Sequence, residues 1–275
     1  MTIVTLTTDF GTRDTYAGAM KGVVLGINPQ AALVDLSHHV SPQGIPEGAF
    51  LLKSGYASFP EGTVHVVVVD PGVGTDRRAV ALEARGHVFV APDNGVLSYI
   101  VEEALGPNPG SFPRPTSRSL GPGVRAVALT RAQFWRHPVS STFHGRDIFA
   151  PVAAHLSLGR PLADVGEPIS DVLAFPFPQP ERDVRGRWEG QVVYVDGFGN
   201  LTTSFREEDL PAGRVAVEIS GRRIEGLSRS YASGGPFLAL IGSAGYLEIA
   251  ASMGNAAQDL GVGVGARVTV LPLSG

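Results

Sequence analysis

Residues Val64-His65-Val66-Val67-Val68-Val69 form a nearly unbroken β-branched run. Branching at Cβ stiffens the side chain and favours extended backbone. A strand that lacks polar alternation must be covered on both faces, so this one belongs at the centre of a sheet with apolar layers above and below. That requirement points to an α/β architecture before any other residue is considered.

The neighbouring segments supply those layers. Residues 3–8, 32–36 and 63–70 read as strands. Residues 14–27, with Asp14 as N-cap and Tyr16, Met20, Val23, Val24 and Ile27 on one face, have the spacing of an amphipathic helix, as do 45–57 and 146–159. Strands joined by crossover helices imply a parallel sheet.

From Phe175 the chain reads FPFPQPERDVRGR, too rich in proline and charge for a helix or a central strand. Beyond it, 190–196, 213–219, 236–241, 245–250 and 266–272 are short strand-like runs separated by Gly and Asn turns. The expected organisation is an α/β N-terminal domain with a central, mainly parallel sheet over 1–174, a linker over 175–187, and a smaller all-β, barrel-like C-terminal domain over 188–275.

Composition removes several classes of function. Lys and Arg total 22 against 26 Asp and Glu, and no basic run could follow a phosphate backbone, so nucleic acid is not an expected partner. With no cysteine there is no disulfide, thiolate nucleophile or Cys-ligated metal. Met1 leads directly into a strand, without the basic and small-residue features of a signal peptide, and the expected location is cytoplasmic, away from any membrane.

In parallel sheets, ligands bind beyond the carboxyl ends of the strands. Asp9 follows the first strand in Thr7-Thr8-Asp9-Phe10-Gly11, and Asp70 ends the central one before Pro71-Gly72-Val73-Gly74-Thr75. Each alone reads as a turn or capping residue; together at one sheet edge they make a candidate site. The first strand is not followed by G-x-G-x-x-G, and there is no G-x-x-x-x-G-K-[ST] or G-x-S-x-G, which argues against a phosphate loop and a serine nucleophile.

Among the histidines, His144 stands apart in Phe143-His144-Gly145-Arg146-Asp147, just ahead of a predicted helix whose dipole favours a neutral imidazole. His38 and His39 could be metal ligands, but no third ligand has recognisable spacing, and no metal is expected. In the C-terminal half, Asp196-Gly197-Phe198-Gly199-Asn200 joins an acid, an aromatic and an amide on one turn. An aromatic face and an amide edge suit a purine.

Taken in order, Thr8-Asp9-Phe10-Gly11, VVDPGVGTDRRAV from Val68 to Val80, Pro92-Asp93-Asn94-Gly95, FHGRDIFAP, DGFGN and the run from Ser243 to Ala250 give the chain its family likeness. It resembles the adenosine-forming S-adenosyl-L-methionine hydrolases, or SAM hydroxide adenosyltransferases, relatives of the bacterial fluorinase and chlorinase. The resemblance implies attack of water or hydroxide on ribose C5′ of S-adenosyl-L-methionine, releasing adenosine and L-methionine without a cofactor. It also implies a homotrimer with sites between subunits.

It places a catalytic Asp-Arg-His set on Asp70, Arg77 and His144. Arg77 would otherwise read as part of a surface charge run, Asp76-Arg77-Arg78. The resemblance assigns the ribose diol to Asp9, adenine to Phe198 and Asn200, the methionine ammonium to Asp196 and its carboxylate to Ser243, with Tyr246 and Glu248 nearby in sequence.

The expected chemistry has Asp70 and Arg77 holding the nucleophile while His144 takes its proton, since an imidazole matches neutral pH better than a carboxylate does. Two alternatives stand beside it. A halogenase would use chloride in place of water, although its relatives carry tyrosine at the Asp70 position and lack the histidine. A non-catalytic adenosine-binding or SAM-binding protein would need Asp9, Phe198 and Asn200 but not the Asp-Arg-His set.

Overall fold

The computed structural model describes residues 2–184, 186–232 and 235–273. Two compact units divide it, Met1–Phe177 and Pro178–Gly275.

In the first unit the strands are β1 (Ile3–Thr8), β2 (Ala32–Ser37), β3 (Val64–Val68), β4 (Ala79–Ala84), β5 (His87–Pro92), β6 (Thr116–Ser119), β7 (Arg125–Ala128), β8 (Glu167–Ile169) and β9 (Asp171–Ala174). Seven of them form one sheet in the order β2-β1-β3-β5-β4-β7-β8. Its β2-β1-β3-β5 half is parallel, and β4, β7 and β8 add antiparallel pairings. The crossover pattern in the sequence therefore accounts for the half that carries Asp9 and Asp70. The antiparallel half comes from a hairpin at Arg85-Gly86, where both residues take positive φ, 55° and 79°.

The valine run behaves as its composition demands. Val64, Val66 and Val68 pack on one side with Met20 and Val24 of α1 (Tyr16–Ile27) and Val152 of the helix at Ala150–Ser157. Val67 and Val69 pack on the other with Leu52 of α2 (Ile45–Tyr56) and Ile100 of α3 (Ser98–Leu105), so successive side chains feed two cores. Burying one such side chain is worth about 1.5–3 kcal/mol. The helix at Ala150–Ser157, α4, is preceded by a π-helical turn at Gly145–Phe149. The N-cap of α1 is Thr15 rather than the expected Asp14, and it caps no backbone N–H with its side chain.

Phe175, at the start of the proline-rich stretch, is fully buried, with its ring edge-on to Tyr99 at 5.6 Å. Its packing draws the opening of that stretch into the first unit, and β10 (Glu181–Arg182) pairs with β11 (Trp188–Val195).

The second unit continues with β12 (Leu201–Arg206), β13 (Val215–Ile219), β14 (Arg222–Glu225), β15 (Phe237–Ile241), β16 (Tyr246–Ala251), the short helix α5 (Ala256–Leu260) and β17 (Arg267–Pro272). The antiparallel order β14-β13-β17-β11-β12-β16-β15 curls so that β14 and β15 come back into contact, nearly closing a barrel around Val192, Phe205, Val217 and Ile249. Strands β12 and β14 lie outside the runs read from sequence. Thr202, Thr203 and Ser204 make β12 look like a loop, yet all three are buried inside the sheet.

Candidate functional site

Because β1 and β3 are parallel neighbours, their carboxyl ends share one edge, and Asp9 and Asp70 leave the sheet side by side. The chain after β3 tightens at once. Asp70 carbonyl oxygen accepts from Val73 N–H at 3.2 Å, and Gly72 carbonyl oxygen accepts from Thr75 N–H at 3.1 Å. Gly74 takes φ +79°, and a Cβ there would sit 2.4 Å from the Ser141 carbonyl oxygen. Only glycine lets the segment that carries His144 lie against this turn.

The turn returns Arg77 to Asp70. Arg77 Nε donates to Asp70 Oδ1 at 2.8 Å and Nη2 donates to Oδ2, a two-pronged pair with little solvent exposure on either side chain. The same Nη2 donates to His144 Nδ1 at 2.9 Å. Behind it, the guanidinium lies over the buried Phe149 ring, 5.2 Å from its centre.

That contact fixes the state of His144. A guanidinium has no lone pair, so Nδ1 must accept, and the proton of the neutral ring is carried on Nε2. Burial lowers the pKa of this imidazole below its ordinary value, and the positive charge of Arg77 lowers it further, against the opposing pull of Asp70 and Asp147. Neutrality thus follows mainly from burial and Arg77.

The π-helical turn begins directly after His144. Asp147 lies within that turn, and its fully buried carboxylate accepts from Arg146 Nε at 2.7 Å, Arg136 Nη1 at 3.1 Å and Ser140 N–H at 2.9 Å. The carboxylate therefore ties both flanks of the His144 segment to one point. Short π turns commonly mark functional sites.

Asp9 approaches from the other side, its Oδ2 accepting from Gln43 N–H at 2.9 Å. Phe10, Tyr16 and Phe143 form an aromatic trio with centroids 5.2–5.9 Å apart. A cavity of about 420 Å³ is lined by Asp9, Tyr16, Gln43, Asp70, Phe143 and His144. Arg77 stands behind Asp70, off the cavity wall. Two carboxylates and several aromatic rings in one lining suit a cationic ligand with hydroxyl groups.

The remaining sequence-predicted residues lie in the second unit. Asp196 Oδ1 accepts from Phe198 N–H at 2.9 Å and Asn200 N–H at 2.8 Å, while its Oδ2 accepts from Asn200 Nδ2 at 2.9 Å. Gly199 takes φ +83°, and a Cβ there would sit 2.1 Å from Asn255. The result is a turn braced by hydrogen bonds, on which Phe198 is 80% exposed. Glu248 accepts from the Tyr231 hydroxyl at 2.7 Å, which raises the phenol pKa to about 12. Ser243 lies exposed on the β15–β16 turn. Tyr246 is buried beneath the Arg206 guanidinium, 6.0 Å from the ring centre.

Sequence reasoning gave Asp147 no role and weighed His38 only as a metal ligand. His38 and His39 read as a possible ligand pair, but His38 is buried and His39 exposed, and no group of three His, Asp or Glu is placed to hold a metal among the described residues.

Comparison with known proteins gives consistent matches. A family model for the SAM hydroxide adenosyltransferase N-terminal domain matches residues 4–166, and one for the C-terminal domain of the same family matches 190–269. The chain is 38% identical over 272 residues to an "(R)-S-adenosyl-L-methionine hydrolase" of Thermus thermophilus, covering 96% of this chain and 97% of the relative. A fluorinase of an Actinoplanes species is 28% identical, with 98% and 97% covered. The crystal structure of an uncharacterized conserved protein from Thermotoga maritima superposes with a TM-score of 0.84 at 33% identity, covering 98% of this chain and 100% of that one.

Proposed function

We propose that this chain, which belongs to the SAM hydroxide adenosyltransferase family, is an enzyme that hydrolyses S-adenosyl-L-methionine to adenosine and L-methionine. The observation that carries the reading is the joining of Asp70, Arg77 and His144 at one end of a cavity that Asp9 also lines. The substrate needs no cofactor. Its leaving group is a neutral thioether departing from a sulfonium, so the site has only to place one oxygen and receive one proton.

In this reading Asp9 holds the ribose diol, and water lies between Asp70 and His144, in line with the C5′–S bond. The water oxygen forms the C5′–O bond, the C5′–S electron pair leaves on sulfur, and the proton passes to Asp70. The proton goes to Asp70 rather than to His144 because Arg77 occupies the Nδ1 lone pair and Nε2 already bears hydrogen. His144 then orients water by donating from Nε2. Arg77 fixes both groups and cannot itself be a base. As attack proceeds the sulfonium charge is lost, so a cavity poor in bulk water favours the transition state.

The second unit supplies Phe198 and Asn200 for adenine, Asp196 for the methionine ammonium and Ser243 for its carboxylate, with Tyr246 and Glu248 beside them. The exposed Phe198 ring, on a turn held by Asp196, supports this assignment. The family resemblance adds a homotrimer with sites between subunits, which light scattering of the purified protein tests. A cytoplasmic location belongs to the same reading, both reactants being water-soluble. The relative's name carries an (R) prefix, and we extend it to this chain as preference for the (R) sulfonium epimer.

Incubation with each sulfonium epimer in ¹⁸O-water tests the reaction. Adenosine labelled at its 5′ oxygen, formed faster from the (R) epimer, is the expected product. With chloride present, 5′-chloro-5′-deoxyadenosine as the main product would overturn hydrolysis. Binding of adenosine without any turnover would leave the chain a binding protein.

A further inference from the structure

Behind Asp9 lies a second polar chain that no step of the hydrolysis uses. His38 is buried, with Nδ1 2.8 Å from Thr8 Oγ1 and Nε2 3.0 Å from Asp35 Oδ1. Asp35 is in turn held by Lys21 Nζ at 2.6 Å. Thr8 is fully buried, and its Oγ1 accepts from Phe10 N–H at 3.3 Å. The main chain adds two bonds, from Gly11 N–H to the His38 carbonyl oxygen at 2.7 Å and from Val40 N–H to the Thr8 carbonyl oxygen at 3.3 Å.

The Thr8 hydroxyl is the joint of this chain. With His38 Nδ1 as the acceptor at 2.8 Å, its single hydrogen is directed at that nitrogen. With that rotor fixed, a Thr8 lone pair faces Phe10 N–H. The two residues bound through this hydroxyl, Thr8 and Phe10, flank Asp9.

We infer that the Asp35-His38-Thr8 chain is a positioning device that sets the Asp9 carboxylate for the substrate's ribose diol. It adds a side-chain tie at Thr8 and Phe10 to the two main-chain bonds that already hold the loop after β1. Gln43 N–H then fixes one Asp9 oxygen from the far side. His38 touches no reacting atom and acts through Thr8. The inference rests on the assignment of Asp9 to the ribose.

The test compares binding of adenosine with binding of 2′,3′-dideoxyadenosine, which lacks the groups Asp9 would hold, by calorimetry. Thr8→Val removes the hydroxyl at nearly constant volume, and Thr8→Ser keeps it. Thr8→Val should weaken adenosine about tenfold and leave the dideoxy compound within about twofold, and Thr8→Ser should restore adenosine binding. Asp35→Asn, at a half-exposed position that leaves the core intact, should show the same ligand-selective loss at smaller size.

Equal losses for both ligands, or no loss in either Thr8→Val or Asp35→Asn, would overturn the inference while leaving the ribose assignment standing. Equal binding of the two ligands by the unaltered protein would instead remove the ribose assignment, and this inference with it.

Discussion

Arg77 Nη2 stands 2.9 Å from His144 Nδ1 while the same guanidinium grips both oxygens of Asp70. One cation thereby sets the orientation of a carboxylate and the tautomer of an imidazole. Lysine can supply the charge but not the fork, because its ammonium is a point donor on a flexible stem.

Arg77→Lys should therefore lower kcat about a hundredfold or more, with adenosine affinity nearly unchanged, since Arg77 lies off the cavity wall. Adenosine release at saturating substrate, paired with adenosine binding by calorimetry, separates the two effects. Parallel loss of binding would mean that Arg77 acts on the fold of the pocket instead.

His144 contributes to the pH dependence of the reaction on the acid side. Its pKa is lowered by burial first and by Arg77 second, so at the ordinary imidazole value of 6.5 the ring is still mostly neutral. Protonation of Nδ1 would set a hydrogen against Arg77 and break their contact. The acid-side midpoint of activity should lie below pH 6.5, and kcat/KM measured from pH 8 downward checks this. Replacing Arg77 with Gln removes the second cause, so the remaining activity should decline at higher pH than in the parent enzyme.

Asp147 holds the His144 segment without touching the cavity. Its side chain is fully buried against two arginines that themselves reach solvent. Asp147→Ala should cost about 2–3 kcal/mol, near the low end for breaking a buried ion pair, because the arginines can turn to water. Urea unfolding measures that loss. At temperatures where the variant remains folded, kcat should fall further than adenosine affinity, because His144 is then free to leave Arg77.

What the sequence made legible follows the range of the forces involved. The Val64–Val69 run, the faces of α1 and α2, and the emergence of Asp9 and Asp70 at one sheet edge all depend on local periodicity and on the rule for parallel strands. Arg77 was not legible from its neighbours. Its return to Asp70 depends on Gly74 lying against Ser141, nearly seventy residues on, and only family likeness marked it out. The π-helical turn was hidden because the pattern at 146–159 is that of an ordinary helix, while the departure is stabilised by Asp147 with Arg136 and Ser140. Strand β12 was missed because its hydroxyl residues are buried in pairing and side-chain bonds, as Thr203 Oγ1 is with the Leu247 carbonyl oxygen at 2.8 Å.

His65 should make the first unit acid-sensitive. It lies fully buried in β3, with Nδ1 2.8 Å from Thr5 Oγ1 and Nε2 3.2 Å from His87 Nδ1, and its ring stacks on Phe89. Burial, with His87 adding to it, pushes its pKa down to about 3. An unfolded chain protonates the same ring at the ordinary value of 6.5, so between these two limits the unfolded state binds a proton that the folded state refuses. The stabilisation is complete above pH 6.5, declines as pH falls, and is exhausted near pH 3. His65→Phe keeps a flat ring against Phe89 but cannot titrate. Its stability should start lower at pH 7, because the Thr5 hydroxyl loses a partner, and then fall less steeply with acidification, by up to about 1.4 kcal/mol per pH unit. Urea unfolding at several values between pH 7 and pH 4 checks the difference in slope. Parallel curves for the two proteins would mean that His65 is not the group that takes up the proton.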